Sequence, residues 1–150
     1  MLRHTLLGVA AVAAVAAAVP GKIDLKDFKM KGAAGENAGY NEGDNKLFFY
    51  APDTAEAAIK VESEGAYTIF VEASCDAAKD ENAKFTLKVG DTVVKTDFLL
   101  TTADPKEYTF DIKLKAGEPK LSIEFTNDLY KEGEYDRNLY IHGVKVEKKK

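Results

Sequence analysis

The sequence has no tryptophan, one cysteine, two histidines and four prolines. A single cysteine, Cys75, excludes an internal disulfide. Two histidines, His4 and His142, leave little for a histidine-rich metal centre or for histidine-dependent catalysis. A basic excess is missing too. Lysine and arginine total 21 against 25 acidic residues, for a formal charge of −4. That balance argues against a nucleic-acid partner, whose binders carry a basic patch or stripe. Helical periodicity is also lacking, because beyond residue 20 no stretch sets apolar residues at three- and four-residue spacing. What remains, over 150 residues at 45% hydrophobic and 31% charged, is the composition of one globular domain. No internal repeat or linker divides it.

The one long uncharged apolar run stands at the start. Met1-Leu2-Arg3-His4 is short and basic, and Thr5 to Val19 carries no charge. Ala16-Ala17-Ala18 supplies small residues, and Pro20-Gly21 breaks any helix. A basic start, a short apolar core and a small-residue site define a secretory signal peptide. The expectation is a signal over residues 1–18, with cleavage after Ala18 or as far on as Gly21, and a secreted or periplasmic product. The run is short for a membrane span, which needs roughly 20 residues, so no membrane contact is expected after cleavage. The segment's one charge is Arg3, so the mature chain is one unit more acidic. In an oxidising compartment an unpaired Cys75 reads as a small buried hydrophobe. A reactive thiol needs an electropositive setting, and Asp76 beside it has the wrong sign.

From residue 22 the period is two. Phe85, Leu87 and Val89 alternate with polar neighbours, as do Tyr108, Phe110, Ile112 and Leu114, and Leu121, Ile123 and Phe125. Tyr67, Ile69, Val71 and Ala73 repeat the pattern, and Leu139 and Ile141 carry it toward the end. One apolar and one wet face mark antiparallel strands. Gly90-Asp91 suits a tight hairpin, while Gly65, Asp104-Pro105 and Ala116-Gly117-Glu118-Pro119 mark other turns. About nine strands are expected, forming an all-β, jelly-roll β-sandwich of two antiparallel sheets over residues 22–147. Lys148-Lys149-Lys150 is a basic tail. Gly32 to Asn45, Asp76 to Asn82 and Asn127 to Arg137 read as loops, where binding groups tend to sit.

The last of these loops is acidic around Gly133. Carboxylates and carbonyls are hard oxygen ligands, and calcium takes six to eight of them. A second acidic loop, with Asp76, Asp80 and Glu81, could contribute from the same end of a sandwich. A solvated acidic loop is the alternative the residues leave open. Arg137, the one arginine beyond Arg3, either pins the loop to a neighbouring acid or donates to ligand hydroxyls. Asn127 and Asn138 bracket the loop and could cap its backbone. His142 reads as a structural side chain, since no nucleophile is evidently paired with it. Paired carboxylates can hydrolyse glycosides, but nothing in the sequence sets two acids across a cleft, so no catalysis is expected.

The stretch Leu121-Ser-Ile-Glu-Phe-Thr-Asn-Asp-Leu-Tyr, followed by Asp136-Arg-Asn-Leu-Tyr-Ile141, resembles the calcium-dependent, xylan-binding carbohydrate-binding modules of family 60 and their family 36 relatives. Gly65-Ala-Tyr-Thr-Ile-Phe-Val-Glu-Ala and Lys79-Asp80-Glu81-Asn-Ala-Lys-Phe are similar to that family's middle strands and loop. The resemblance implies a jelly roll that holds sugar through a calcium ion bound to vicinal hydroxyls, which fits a chain without tryptophan. It implies Asp128 and Asp136 as calcium ligands, joined by Asp80 and Glu81, with Glu36 serving a second, structural ion. Tyr130 or Tyr135 is then expected on the sugar ring, with Arg137 and Asn138 beside it and Arg137 bracing the loop. The chain departs from the family at His142, where an acid often stands, and at Lys46-Leu47-Phe48-Phe49-Tyr50, where a tryptophan is usual. The expected function is a secreted, non-catalytic, calcium-dependent binder of xylan or a related poly- or oligosaccharide. The alternative is a structural or adhesive sandwich whose loops calcium stiffens and whose partner is a protein.

Overall fold

Alternation of apolar and polar residues pairs the chain into twelve strands in a computed structural model that describes residues 21–150. The expected signal segment lies outside the described residues. The strands are β1 (Gly21–Ile23), β2 (Lys29–Met30), β3 (Ala38–Asn41), β4 (Lys46–Phe49), β5 (Thr54–Ala58) and β6 (Gly65–Asp76). They continue as β7 (Lys84–Val89), β8 (Thr92–Leu99), β9 (Lys106–Leu114), β10 (Lys120–Phe125), β11 (Leu129–Lys131) and β12 (Tyr135–Lys148). One sheet runs β3-β4-β12-β6-β9, with β1 and β11 also paired to β12. The other runs β2-β5-β10-β7-β8. Neighbours are antiparallel, and the two sheets make the expected jelly-roll sandwich.

The apolar positions of each strand fill the space between the sheets. Leu47, Phe49, Ile69, Val71, Leu139 and Ile141 face inward from one sheet. Phe85, Leu87, Leu121, Ile123 and Phe125 face them from the other. Phe49 meets Phe125 edge-on, with ring centroids 6.3 Å apart, so the layers interlock across the core. Gly90-Asp91 forms the expected hairpin between β7 and β8, with Gly90 at φ +59°.

Two segments read as loops carry strands. Gly32 to Asn45 contains β3, and Asn127 to Arg137 contains β11 and the start of β12. Neither shows clear alternation; pairing to β4 and to β12 respectively sets their conformation.

The stretch before β3 is fastened by Asp53, which is buried. Its carboxylate accepts from the backbone N–H groups of Gly32 at 2.6 Å, Ala34 at 3.2 Å and Thr54 at 2.7 Å. A Cβ at Gly32 would stand 2.6 Å from Asp53 Oδ1, so the close approach requires glycine there. Asp53→Ala strips three donors of a charged acceptor and is expected to cost about 2–4 kcal/mol, measured by urea unfolding. A loss below the error of that method would show that the segment is held by other contacts.

Candidate functional site

Strand alternation builds a polar corner on the outer face of the larger sheet. On β12, Leu139 and Ile141 enter the core, so Asp136, Asn138 and Tyr140 point the other way. On β6, Ala73 and Cys75 are inward, and Ser74 and Asp76 are outward. The register sets Asn138 opposite Asp76 and Tyr140 opposite Ser74. Asn138 Nδ2 donates to Asp76 Oδ2 and to Asp136 Oδ2, both at 3.1 Å. The Tyr140 hydroxyl donates to the same Asp76 oxygen at 2.7 Å. Burial and that carboxylate push the Tyr140 phenol well above its ordinary pKa, which keeps it a donor.

Asp128 enters this corner from the segment before β11. Burial raises its carboxyl pKa, and the negative charge of Asp136 raises it further. Asp128 Oδ1 is buried without a hydrogen-bond partner among the described residues, and so are Asn138 Oδ1 and Thr126 Oγ1. Each such unmatched group costs about 1–3 kcal/mol. Unpaired lone pairs beside mutually repelling carboxylates suit a hard cation, so the donor set fits calcium chemically. Among the described residues, no three side chains of the His, Cys, Asp and Glu types form a metal-binding group. The amide oxygen of Asn138, buried and unpaired, is a further oxygen donor at this corner.

The structure separates the expected ligands. Of Asp128, Asp136, Asp80, Glu81 and Glu36, it brings Asp128 and Asp136 together. Glu81 accepts from Asn127 Nδ2 at 2.9 Å and pairs with Lys84 at 3.5 Å, and these contacts lower its pKa. Asp80 stands exposed on a tight turn at φ +60°. Glu36 is exposed on the short 3-10 turn Gly35–Asn37, and among the described residues no hydrogen bond or ion pair links it to the corner. The two tyrosines part as well. Tyr130 pairs directly with Asp136 and so shares its face, with 61% of its surface exposed. Tyr135 pairs with Lys131, and its ring lies 5.0 Å from the Lys79 ammonium.

Arg137 and Asn138, expected against the sugar, are both buried, at 5% and 6% exposure. Arg137 points inward between two outward acid-corner residues. Its Nε donates to the Glu81 carbonyl at 3.0 Å, Nη1 to the Asn127 carbonyl and Nη2 to the Ala78 carbonyl, both at 2.6 Å. It braces the loops, as one of its two expected roles required, but through backbone carbonyls rather than an acid. Asn127 completes the tie: its Oδ1 accepts from Lys84 N at 2.6 Å and its Nδ2 donates to the Asn82 carbonyl at 2.9 Å. Asp76 joins the corner although the sequence set it in a loop. Its place at the outward end of the Thr68-Phe70-Glu72-Ser74 series was the available signal. His142 Nε2 lies 2.6 Å from Ser74 Oγ, and burial lowers the imidazole pKa. Cys75 is buried, which raises its thiol pKa.

The raised Asp128 pKa has a signed consequence. The native state holds that proton more tightly than the unfolded chain does. Stability therefore falls as pH rises from the unfolded carboxyl pKa through the raised native value, and the penalty is complete above it. In chelator, Asp128→Asn is expected to melt above the parent protein at neutral pH, with the gap closing in acid. A gap independent of pH would mean that the carboxylate carries no such penalty.

The chain is a two-sheet jelly roll with an acidic corner at one end of a sheet, and solved structures of carbohydrate-binding modules share that fold. A family 36 carbohydrate-binding module in complex with calcium and xylotriose matches with a TM-score of 0.60 at 18% identity, over 83% of this chain and 98% of that one. The family 36 domain of a multidomain xylanase from the hindgut metagenome of Trinervitermes trinervoides matches at 0.63 and 16%, over 83% and 94%. A mannan-binding module from Man5C in its bound conformation matches at 0.54 and 16%, over 83% and 95%. None of the curated proteins matches this chain. The model of the Ca-dependent, xylan-binding carbohydrate-binding modules, CBM60, matches residues 68–150. The chain belongs to that family.

Proposed function

We propose that the chain is a secreted, non-catalytic module that holds xylan or a related polysaccharide through calcium. The observation that carries this reading is the pair of buried, unpaired oxygens on Asp128 and Asn138 beside Asp136. Asp128, Asp136 and the Asn138 amide oxygen would hold the ion. A bound calcium would offer its remaining positions to vicinal sugar hydroxyls. The chain's own part is positional: Arg137 fixes the approach of the two loops, and Tyr140 and Asn138 orient Asp76. Tyr130, exposed beside Asp136, supplies an apolar ring face to a sugar. Export rests on the basic-then-apolar start of the sequence.

Family membership supports the sugar class, and one structural relative was solved with calcium and xylotriose. Isothermal titration with xylohexaose is expected to show binding in calcium that chelator removes. A sugar held by one ion and the exposed Tyr130 ring buries little surface, so the affinity is expected to be modest. Equal binding with and without chelator would refute the calcium part. Absence of binding to xylan and to mannan oligosaccharides alike would refute the sugar class.

A further inference from the structure

We infer that the sugar-binding surface continues from the acidic corner onto an aromatic ledge made by Phe48, Tyr50 and Tyr140, which takes the next rings of the same polysaccharide chain. This inference rests on the reading above and extends it along the sheet.

The ledge follows from register. Leu139 lies opposite Phe49 and Tyr140 opposite Phe48, so the next step along the strands places Tyr50 beside Asn138. Leu47 and Phe49 are buried, so Phe48 and Tyr50 share the outer face with Asn138, Tyr140 and Asp76. The rings touch. Phe48 and Tyr50 have centroids 4.8 Å apart, and Tyr50 meets Tyr140 edge-on at 6.3 Å. Lys46, two residues before Phe48, lays its ammonium 4.4 Å from the Tyr140 ring centre and closes the far end.

Tyr50 is 45% exposed, and its main chain is tied down by a 2.7 Å bond from its N–H to the Asn37 carbonyl. An exposed ring on a fixed backbone loses little freedom when it binds. Phe48 and Tyr140 are half-buried around it. The ledge is continuous with the corner through one oxygen. Asp76 Oδ2 accepts from Asn138, which touches Asp136, and from Tyr140, which belongs to the ledge. From Asp136 to Tyr140 is four residues of strand, about 13 Å at roughly 3.3 Å each. That reach extends past the sugar held at the corner.

The chemistry favours a sugar chain over a protein. A pyranose offers a C–H face to an aromatic ring and hydroxyls around its rim. The ledge offers tilted rings bordered by a phenol, a carboxylate and an ammonium, which is a polar rim to an apolar floor.

The test compares xylobiose with xylohexaose by isothermal titration, in calcium and in chelator, on the parent protein, Tyr50→Ala, Phe48→Ala and Tyr50→Phe. The expected result is a loss of about fivefold on xylohexaose in Tyr50→Ala, larger than the loss on xylobiose, as one aromatic contact supports. Tyr50→Phe keeps the ring and should restore the affinity for the longer sugar. Melting curves report that each variant is folded. If xylohexaose binds in calcium and both alanine variants match the parent at both lengths, the ledge is overturned and the calcium reading stands. If it binds in chelator and Tyr50→Ala weakens it, the ledge stands and the calcium reading falls. If xylohexaose binds under neither condition, both fall.

Discussion

Asp136→Asn is expected to weaken calcium binding about a hundredfold and to remove calcium-dependent sugar binding, with the sandwich intact. Two carboxylates face each other at the corner, and the negative charge of Asp136 is felt by Asp128. One charge on a divalent ion contributes about 4 kcal/mol per unit at roughly 4 Å and an effective dielectric of about 20. Even after screening, a loss near a hundredfold is in scale. The amide oxygen can still accept the one side-chain bond Asp136 makes, from Asn138. Removing the charge also relieves Asp128, so the calcium-free variant should melt no lower than the parent. Calcium titration followed by xylohexaose titration measures both effects. Asp80→Asn is the contrasting variant, since Asp80 stands exposed on its turn, and it should leave both titrations near parental values. Parental calcium affinity in Asp136→Asn would move the metal elsewhere.

Arg137→Ala is expected to cost about 3–5 kcal/mol and to lower the melting temperature by roughly 10–15 °C. A buried guanidinium is costly to desolvate, and three carbonyls from two separate segments compensate it here. Alanine leaves the carbonyls of Glu81, Asn127 and Ala78 without their charged donor and opens a void between the segments. Arg137→Lys should recover only part of the loss, because a single ammonium cannot span a planar fork's three directions. Guanidinium unfolding of both variants checks the order. A cost under 1 kcal/mol for alanine would mean that Asn127 and the strand pairing hold the loops unaided.

The fold was legible because the core strands alternate strictly: residues such as Leu121, Ile123 and Phe125 each fix a face without help. The corner was legible only in part. Asp128 and Asp136 lie close in sequence and meet through the β11–β12 hairpin, so proximity along the chain was a fair guide. Asp80 and Glu81 lie in an acidic run too, but Asp80 stands exposed on a left-handed turn and the Glu81 carboxylate is taken up by Asn127 and Lys84. Arg137 and Asn138 read as ligand contacts from the donor fork of arginine and from the family resemblance. Alternation sends Arg137 inward, and the hydrogen bonds of Asn138 to two acids cover it. Phe48, Tyr50 and Tyr140 belong to strands far apart in sequence. Their meeting depends on β4 lying beside β12, a pairing that local pattern does not encode.

β12 carries three residues of the corner: Asp136, Asn138 and Tyr140 point outward while Arg137 and Leu139 anchor the strand from within. The hairpin tip just before it, from Lys131 to Glu134, is exposed, is closed by an ion pair of Lys131 with Glu134 at 2.6 Å, and turns at Gly133 with φ +75°. Its length fixes the register that sets Tyr130 opposite Asp136. At constant length the exposed Glu132 can change charge or size without altering that register, whereas Gly133 has to remain for its positive φ. That makes Glu132 the natural position for substitutions meant to alter sugar preference while the groups that fix the site keep their places.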